Sequence, residues 1–145
     1  MSTTKDNPIL LVADDDADDR FLLRSAFEES GIKGRILFVE DGLDLLDFLA
    51  KTGRHSGQHQ LPGVILLDLN MPKKDGKAVL AEMKANPAFQ PIPVVVFSTS
   101  KSPDEIRELY RLGANSFIVK PSSFEQLLEV MRRIGMYWMD TVILP

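Results

Sequence analysis

The stretch Ile9–Asp16 reads ILLVADDD, an apolar run of five residues that ends directly in three aspartates. The run shows no alternation of apolar and polar residues, which is typical of a strand covered by helices on both faces. Strands of this kind belong to parallel sheets, because helical connections cover both of their faces. The stretch therefore predicts an α/β fold with polar side chains at the end of its first strand.

Four further apolar runs of strand length follow, and residues of helical period separate them. The five predicted strands are Ile9–Ala13, Arg35–Val39, Val64–Leu67, Val94–Phe97 and Ser116–Val119. Gly31 and Gly113 stop two of the helices, and Ser102–Glu105 (SPDE) predicts a capping box with proline at the first helical position. Right-handed crossovers then favour one fold class, a doubly wound five-stranded parallel sheet.

Length and composition limit the classes of partner and location that fit the chain. The chain has 145 residues, which suits a single domain over residues 1–145 with no output domain. Its formal net charge of −4 does not favour nucleic acid as a partner. There are no cysteines, and no apolar run reaches the roughly 18 residues that a membrane span requires. These features predict a cytoplasmic protein that binds neither nucleic acid nor a membrane.

Polar side chains follow four of the five predicted strands. Asp14 follows the first strand, Asp68 the third, Ser98 the fourth and Lys120 the fifth. Because the functional crevice of an open parallel sheet lies at the carboxyl ends of its strands, these side chains should converge. Taken one at a time, the acids could be helix caps and the lysine a surface charge. Their placement at four strand ends favours a common site.

Several carboxylates at one point repel one another and call for a cation. Carboxylate and carbonyl oxygens suit Mg²⁺, which binds through one or two carboxylates and keeps several waters. Lys120 and Ser98 would then face the anion that the metal attracts. The sequence therefore predicts Mg²⁺ as a cofactor and an anionic group as the ligand.

Four motifs resemble the receiver domain of bacterial response regulators: ILLVADD, LLDLNMPKKDG, VVVFSTS and GANSFIVKP. Ser98 lies 30 residues after Asp68, and Lys120 lies 22 residues after Ser98, as in the chemotaxis receiver. The resemblance covers nearly the whole chain and implies a flavodoxin-like receiver fold. The long loop before strand three and the ending YWMDTVILP resemble the stand-alone receivers paired with phytochrome-type histidine kinases.

The resemblance implies a two-component phosphorelay in which Asp68 accepts a phosphoryl group from a sensor histidine kinase. Lys120 would pair with the phosphoryl oxygens, and Ser98 and Phe117 would form the switch. The chain would then be a phosphoacceptor, with slow self-dephosphorylation at most, and not an enzyme. The family's peptide bond at Lys120-Pro121 is usually cis, a state that proline tolerates.

The resemblance also implies a set of metal ligands: Asp14, Asp68 and the backbone carbonyl of Asn70. One position departs from the family pattern, which has two adjacent acids after strand one where this chain has Ala13 and Asp14. Either Asp15 or Asp16 could supply the missing charge. We expect Mg²⁺ to bind more weakly than in receivers with both acids.

Aromatic and methionine residues near the carboxyl terminus predict an interface. Phe117, Tyr137, Trp138 and Met139 place large apolar groups on a face formed by helix four, strand five and the end of helix five. The apolar tail Val142–Leu144 adds to the same end. Because exposed apolar patches commonly mark interfaces, we expect a homodimer on this face. The alternative is a monomer in which helix five buries these residues and the tail folds back.

Three other functions fit part of the sequence. Asp14-x-Asp16 after a strand resembles the haloacid-dehalogenase-type phosphatases, but their late acidic pair has no counterpart after Lys120. A flavin or nucleotide binder needs a glycine-rich loop where this chain has aspartates, which repel phosphate. A pseudo-receiver that serves only as an interaction module would be expected to lack Asp68 or Lys120.

His55 and His59 are four residues apart, a spacing that suits a metal on a helix. They lie among glycines and polar residues in the irregular insert Thr52–Pro62, where we expect no helix. The third ligand and fixed geometry of a zinc site are also missing. We therefore expect both histidines to be solvated loop residues, and Lys73-Lys74 to be a solvated basic pair.

Overall fold

The computed structural model describes residues 7–57 and 60–145. The strands are β1 (Ile9–Ala13), β2 (Arg35–Val39), β3 (Val64–Leu67), β4 (Val94–Ser98) and β5 (Ser116–Val119). The α-helices are α1 (Ala17–Ser30), α2 (Gly42–Ala50), α3 (Gly76–Ala85), α4 (Pro103–Leu112) and α5 (Phe124–Ile134). Four strands have the predicted bounds, and β4 is one residue longer than predicted.

All five strands pair in parallel, in the order β2-β1-β3-β4-β5. Leu10 of β1 is in register with Ile36 of β2 and with Val64 of β3. The predicted doubly wound, flavodoxin-like α/β fold is confirmed. Its topological switch point lies between β1 and β3, the strands followed by Asp14 and Asp68, so a crevice is expected there.

Two hydrophobic cores cover the two faces of the sheet. Ile9, Leu11 and Ala13 of β1 belong to the core that α2, α3 and α4 complete. Leu10 and Val12 point the other way, into the core that α1 and α5 complete. Each residue of β1 is at most 1% exposed. Burial on both faces explains why this strand is apolar throughout.

Side-chain caps set where the helices begin. The capping residues are Asp16, Asp41, Asp75, Ser102 and Ser123. Ser102 accepts from the amide of Glu105 as predicted, but the Ser102 amide donates to Ser100 Oγ and leaves the capping box half formed. Gly31 and Gly113 end α1 and α4 as predicted, in the left-handed conformation with φ of 73° and 112°.

The segment after α5 folds back under the sheet. Gly135–Thr141 continues α5 as a π-helix, and Trp138 and Met139 pack against the core formed by α1 and α5. A Cβ placed on Gly63, just before β3, would lie only 2.5 Å from Leu144 Cδ1, so the tail crosses close to the sheet's amino edge. The expectation of an exposed apolar end is confirmed for Tyr137 and Ile143, which are 55% and 92% exposed. Trp138 and Met139 are instead partly buried against the chain's own core, which takes part of their apolar surface out of water.

The insert between α2 and β3 is more ordered than predicted. A single 3-10 turn ends at His55, whose ring packs edge-on against Phe48 at 5.0 Å between centroids. His55 Nε2 lies 2.7 Å from Oδ1 of Asp44 on α2. The prediction of a solvated loop residue is wrong for His55, because this carboxylate and this ring hold it against α2. His59 lies outside the described residues.

Gly42, the first residue of α2, determines how closely the loop after Asp68 can pack against α2. A Cβ on Gly42 would lie 2.0 Å from the Lys74 carbonyl oxygen and 2.7 Å from Val79 Cγ2. We predict that Gly42→Ala lowers the free energy of unfolding by about 1–3 kcal/mol, the usual cost of overpacking. Urea denaturation measures the change, with Gly57→Ala as the control because a Cβ there meets nothing within 4 Å. Equal stability of the two variants would contradict the packing argument.

Candidate functional site

The carboxyl ends of four strands bring the predicted residues to one edge of the sheet. Asp14 follows β1, Asp68 follows β3, Ser98 ends β4 and Lys120 follows β5. The side chains of Asp14, Asp68 and Lys120 are only 1%, 10% and 15% exposed, and Ser98 is buried. The structure thus brings these groups together, as the order of the strands predicts. The alternative of isolated helix caps and a surface lysine does not hold for them.

The Lys120 ammonium contacts three carboxylates at once. Its Nζ lies 3.1 Å from Asp14 Oδ2, 3.2 Å from Asp19 Oδ2 and 3.4 Å from Asp68 Oδ2. The ring of Phe97 flanks the ammonium, with its centroid 6.0 Å from Nζ. One cation therefore partly neutralises an acidic pocket built from β1, α1 and β3.

Burial and charge act on these groups in opposite directions. Burial raises the pKa of Asp14 and of Asp68 above the ordinary value of 3.8, although the nearby Lys120 works to lower both. Burial alone would lower the pKa of Lys120, but attraction by the carboxylates of Asp14 and Asp68 outweighs it and raises that pKa above its usual range. Because three carboxylates face the single ammonium at 3.1–3.4 Å, the pocket favours a further cation.

Hydrogen bonds fix the connection between β1 and α1. Asp14 Oδ1 accepts from the Asp16 amide at 2.9 Å, and Arg20 Nη1 donates to the Asp14 carbonyl oxygen at 2.9 Å. Asp16 Oδ1 in turn accepts from the amides of Asp18 and Asp19, at 2.8 Å and 3.1 Å, and so caps α1. The carboxylate of Asp16 is therefore engaged by the helix.

Three carboxylates have the geometry of a metal site. Asp14, Asp15 and Asp68 each offer an oxygen, and these oxygens lie within 4.8 Å of one another. Ala13, where the family has an acid, is fully buried at the end of β1. Between the two candidates for the missing charge, the geometry favours Asp15, because Asp16 caps α1. This set of hard oxygen donors fits Mg²⁺, which is held by few carboxylates and keeps several waters.

Of the predicted switch residues, Ser98 lies at the pocket and Phe117 lies on the neighbouring strand β5. Ser98 Oγ accepts from the Ser100 amide at 3.2 Å, and the Ser98 carbonyl accepts from the Lys120 amide at 2.8 Å. Phe117 is half-buried against the core on the α4 side of the sheet, and its amide donates to Tyr110 Oη at 3.1 Å. The backbone thus connects Ser98 directly to the strand that carries Phe117.

Two expectations about the backbone near the pocket have different outcomes. The Asn70 amide lies 3.4 Å from Asp68 Oδ1, so the backbone of Asn70 does lie beside the proposed acceptor. The Lys120-Pro121 peptide bond is trans, and the expectation of a cis bond is wrong. Trans is the form that a bond before proline prefers by about 0.5–1 kcal/mol.

Asp19 belongs to the pocket, and the sequence reasoning missed it. It stands in the first turn of α1, and its Oδ2 accepts from Lys120 Nζ at 3.2 Å. A signal was present, because side chains on a helix tilt toward its amino end, which here adjoins the strand end with Asp14. An acid in the first turn after such a strand can therefore reach the same pocket.

Comparison with known proteins gives the family. Residues 10–132 match the response regulator receiver domain. Response regulator Rcp1 of Synechocystis sp. is 40% identical over 137 residues, which cover 94% of this chain and 92% of Rcp1.

Solved structures of relatives have the same fold. The phosphorylated cyanobacterial phytochrome response regulator RcpA has a TM-score of 0.88 at 36% identity, covering 96% of this chain and 99% of RcpA. The Mn²⁺-bound form of Rcp1 has a TM-score of 0.86 at 36% identity, covering 95% of this chain and 99% of that one. The matched family and the acidic pocket indicate a phosphoacceptor and not an enzyme that turns over a small substrate. The chain belongs to the family of two-component response regulator receivers.

Proposed function

We propose that Asp68 is the residue that accepts the phosphoryl group, from the histidine of a sensor kinase. The position of its carboxylate is the main support: at the end of β3 it lies 3.4 Å from the Lys120 ammonium and within 4.8 Å of two further carboxylates. The relative RcpA, 36% identical, has been solved in a phosphorylated state. The same chemistry at Asp68 would use the residues already gathered at this edge of the sheet.

The transfer requires a nucleophile and the neutralisation of charge. A carboxylate oxygen of Asp68 forms a bond to phosphorus while the phosphorus–nitrogen bond of the phosphohistidine breaks, and its electron pair leaves with the imidazole. Lys120 donates hydrogen bonds to the phosphoryl oxygens as the group arrives. Because little covalent work falls to the protein in such a transfer, positioning and charge neutralisation account for most of the rate.

Mg²⁺ is the proposed cofactor. Asp14, Asp68 and the backbone carbonyl of Asn70 would hold it. Asp15 would supply the charge of the family's first acid, which is Ala13 in this chain. When bound, Mg²⁺ supplies positive charge beside the phosphoryl oxygens. The Mn²⁺-bound form of Rcp1 supports a divalent cation, since Mg²⁺ and Mn²⁺ prefer the same oxygen ligands.

Ser98 and Phe117 form the proposed switch. A phosphoryl group on Asp68 brings new acceptor oxygens, which the Ser98 hydroxyl can meet by moving away from the Ser100 amide. That movement would open space for Phe117, which is half-buried, and would re-pack the surface of α4 and β5. The phosphoryl group can favour one conformation over another only if it makes different contacts in the two. The change is therefore a shift in the populations of these conformations.

The proposed donor is a phytochrome-type histidine kinase. RcpA is a phytochrome response regulator, and other relatives with this fold are bacteriophytochrome response regulators.

None of the helices in residues 7–57 and 60–145 is long and apolar enough to cross a membrane. We place the chain in the cytoplasm, and its lack of cysteines fits that reducing compartment.

The face of α4 and β5 is the proposed homodimer interface. Tyr110 on α4 is 48% exposed and Val119 on β5 is 37% exposed, and β5 is an edge strand. Tyr137, in the π-helix, is also exposed. A second copy of the chain would cover Tyr110 and Val119, which lie near the switch residue Phe117. The patch is smaller than the sequence predicts, because Trp138 and Met139 pack inward.

Asp68→Asn should abolish phosphorylation, because a neutral amide cannot replace the attacking carboxylate. After treatment with acetyl phosphate and Mg²⁺, the intact mass of the wild-type chain should rise by one phosphoryl group and that of the variant should not change. Asp140→Asn alters an exposed aspartate beyond α5, and this control should be labelled like the wild type. Labelling that survives in Asp68→Asn would place the acceptor elsewhere.

Asp15→Asn should weaken Mg²⁺ binding by about tenfold or more, the scale expected when a group that supports a metal is lost. Asp16→Asn removes the same charge from the neighbouring residue, and its amide oxygen can still cap α1, so it should bind Mg²⁺ almost as the wild type does. Isothermal titration calorimetry measures both affinities. Equal weakening in the two variants would mean that net charge matters and that Asp15 has no special role.

Light scattering should find a dimer of the wild-type chain at high concentration, and stronger association after treatment with a phosphodonor. Val119→Lys should favour the monomer, because a lysine on an edge strand opposes pairing. Phe21→Lys changes a side chain that is 69% exposed on α1, and this control should remain a dimer. A wild-type monomer with and without phosphodonor would remove the proposal.

A further inference from the structure

We propose that Asp19 is a positioning residue for phosphoryl transfer, one that keeps the Lys120 ammonium directed at Asp68 while the other acids of the pocket change partners. The inference rests on the proposed phosphorylation of Asp68. Three carboxylates share Lys120, and only Asp14 and Asp68 among them have a role in the family pattern.

Asp19 differs from the other two partners of Lys120 in its surroundings. The side chain of Asp19 is 43% exposed, whereas those of Asp14 and Asp68 are 1% and 10% exposed. Asp14 and Asp68 share the candidate metal site with Asp15, and Asp19 stands outside that group. Its carboxylate is therefore available to the lysine when the other two turn to a cation.

The backbone of Asp19 is held in place by contacts of its own turn. Its amide donates to Asp16 Oδ1 at 3.1 Å, within the cap of α1. The next residue, Arg20, donates from Nη1 to the Asp14 carbonyl oxygen at 2.9 Å, which fastens this turn to the end of β1. Because helical side chains tilt toward the amino end, the anchored turn directs the Asp19 carboxylate at the pocket.

Apolar side chains flank the ion pair of Asp19 and Lys120. The pair borders a narrow cleft between α1 and α5, whose apolar walls include Leu23, Phe97 and Phe124. Surroundings of low polarity strengthen the attraction between an ammonium and a carboxylate relative to water. Lys120 is only 15% exposed although Asp19 is 43% exposed, so the pair is shielded from water on the lysine side. The contact should therefore persist better than an ion pair between two exposed side chains, which contributes little.

The number of donors on the ammonium explains why a third acid helps. Lys120 has three N–H groups, and in the structure they face three carboxylates. When Asp14 and Asp68 turn to a cation and to phosphorus, two of these donors become free for phosphoryl oxygens. Asp19 keeps the third, so the flexible four-carbon side chain retains its direction during the transfer.

The rate experiment compares Asp19→Asn with Asp18→Asn, which removes the same charge from an exposed position on the same turn. With acetyl phosphate and saturating Mg²⁺, Asp19→Asn should lower the maximal rate of phosphorylation about three- to tenfold, because the lysine is less well placed. The apparent KM for acetyl phosphate should change by less than about twofold, since uniform binding is not lost. Asp18→Asn should behave like the wild type, and Asp19→Glu, which keeps a carboxylate, should restore most of the rate.

A second readout does not depend on phosphorylation. NMR relaxation of the Lys120 side chain, in protein labelled at lysine, measures how firmly the ammonium is held. Asp19→Asn should increase the mobility of this side chain, and the increase should be larger with Mg²⁺ than without it. Asp18→Asn should leave the mobility unchanged in both conditions.

The possible results separate this inference from the proposed function. A wild-type chain that takes up no phosphoryl group on Asp68 would overturn both. Wild-type labelling, together with an Asp19→Asn variant that matches the wild type in rate and in Lys120 mobility, would overturn this inference alone. So would equal slowing in Asp18→Asn, because the loss would then follow net charge and not the contact with Lys120.

Discussion

The attraction between one ammonium and the carboxylates at the carboxyl edge of the sheet is the interaction on which the site depends. Parallel strands end at the same edge, so acids that are distant in sequence become neighbours even though their charges repel. Lys120 offsets part of that repulsion by contacting Asp14 and Asp68 together. Burial raises the pKa of both carboxylates. Positive charge placed beside them, from Lys120 or from a metal ion, favours their ionised form.

The two edges of the sheet are used differently. At the amino edge the carboxyl-terminal segment lies across the loops before the strands, where Gly34 and Gly63 allow Met139 and Leu144 to approach closely. At the carboxyl edge the strand ends bring Asp14, Asp68 and Lys120 together. Apolar closure of one edge adds to the core, and the polar chemistry is confined to the other.

Burial across the sheet is uneven, and this separates the acceptor from the surface that signals. β1, β3 and β4 are buried along their whole length, whereas β5 is half-buried at the edge. A rigid centre holds Asp68 and Ser98 in place. An edge with fewer buried contacts can re-pack at lower cost in free energy, which suits the proposed movement of Phe117. The proposed acceptor thus follows a fully buried strand, and the proposed change falls on a half-buried edge strand.

The sequence by itself determined the fold and the centre of the site. Apolar runs without alternation predicted the parallel strands, and the polar residues after four of these runs predicted that Asp68 and Lys120 would meet. Only the tertiary structure decided that Asp16 caps α1 and that Asp19 contacts Lys120. Neighbouring acids in a run are chemically alike, and they differ only in where their side chains point. The tertiary structure also decided that Trp138 packs inward. The sequence pattern of an aromatic residue is the same whether it packs in the core or faces a partner. Only contacts between distant segments distinguish these two positions.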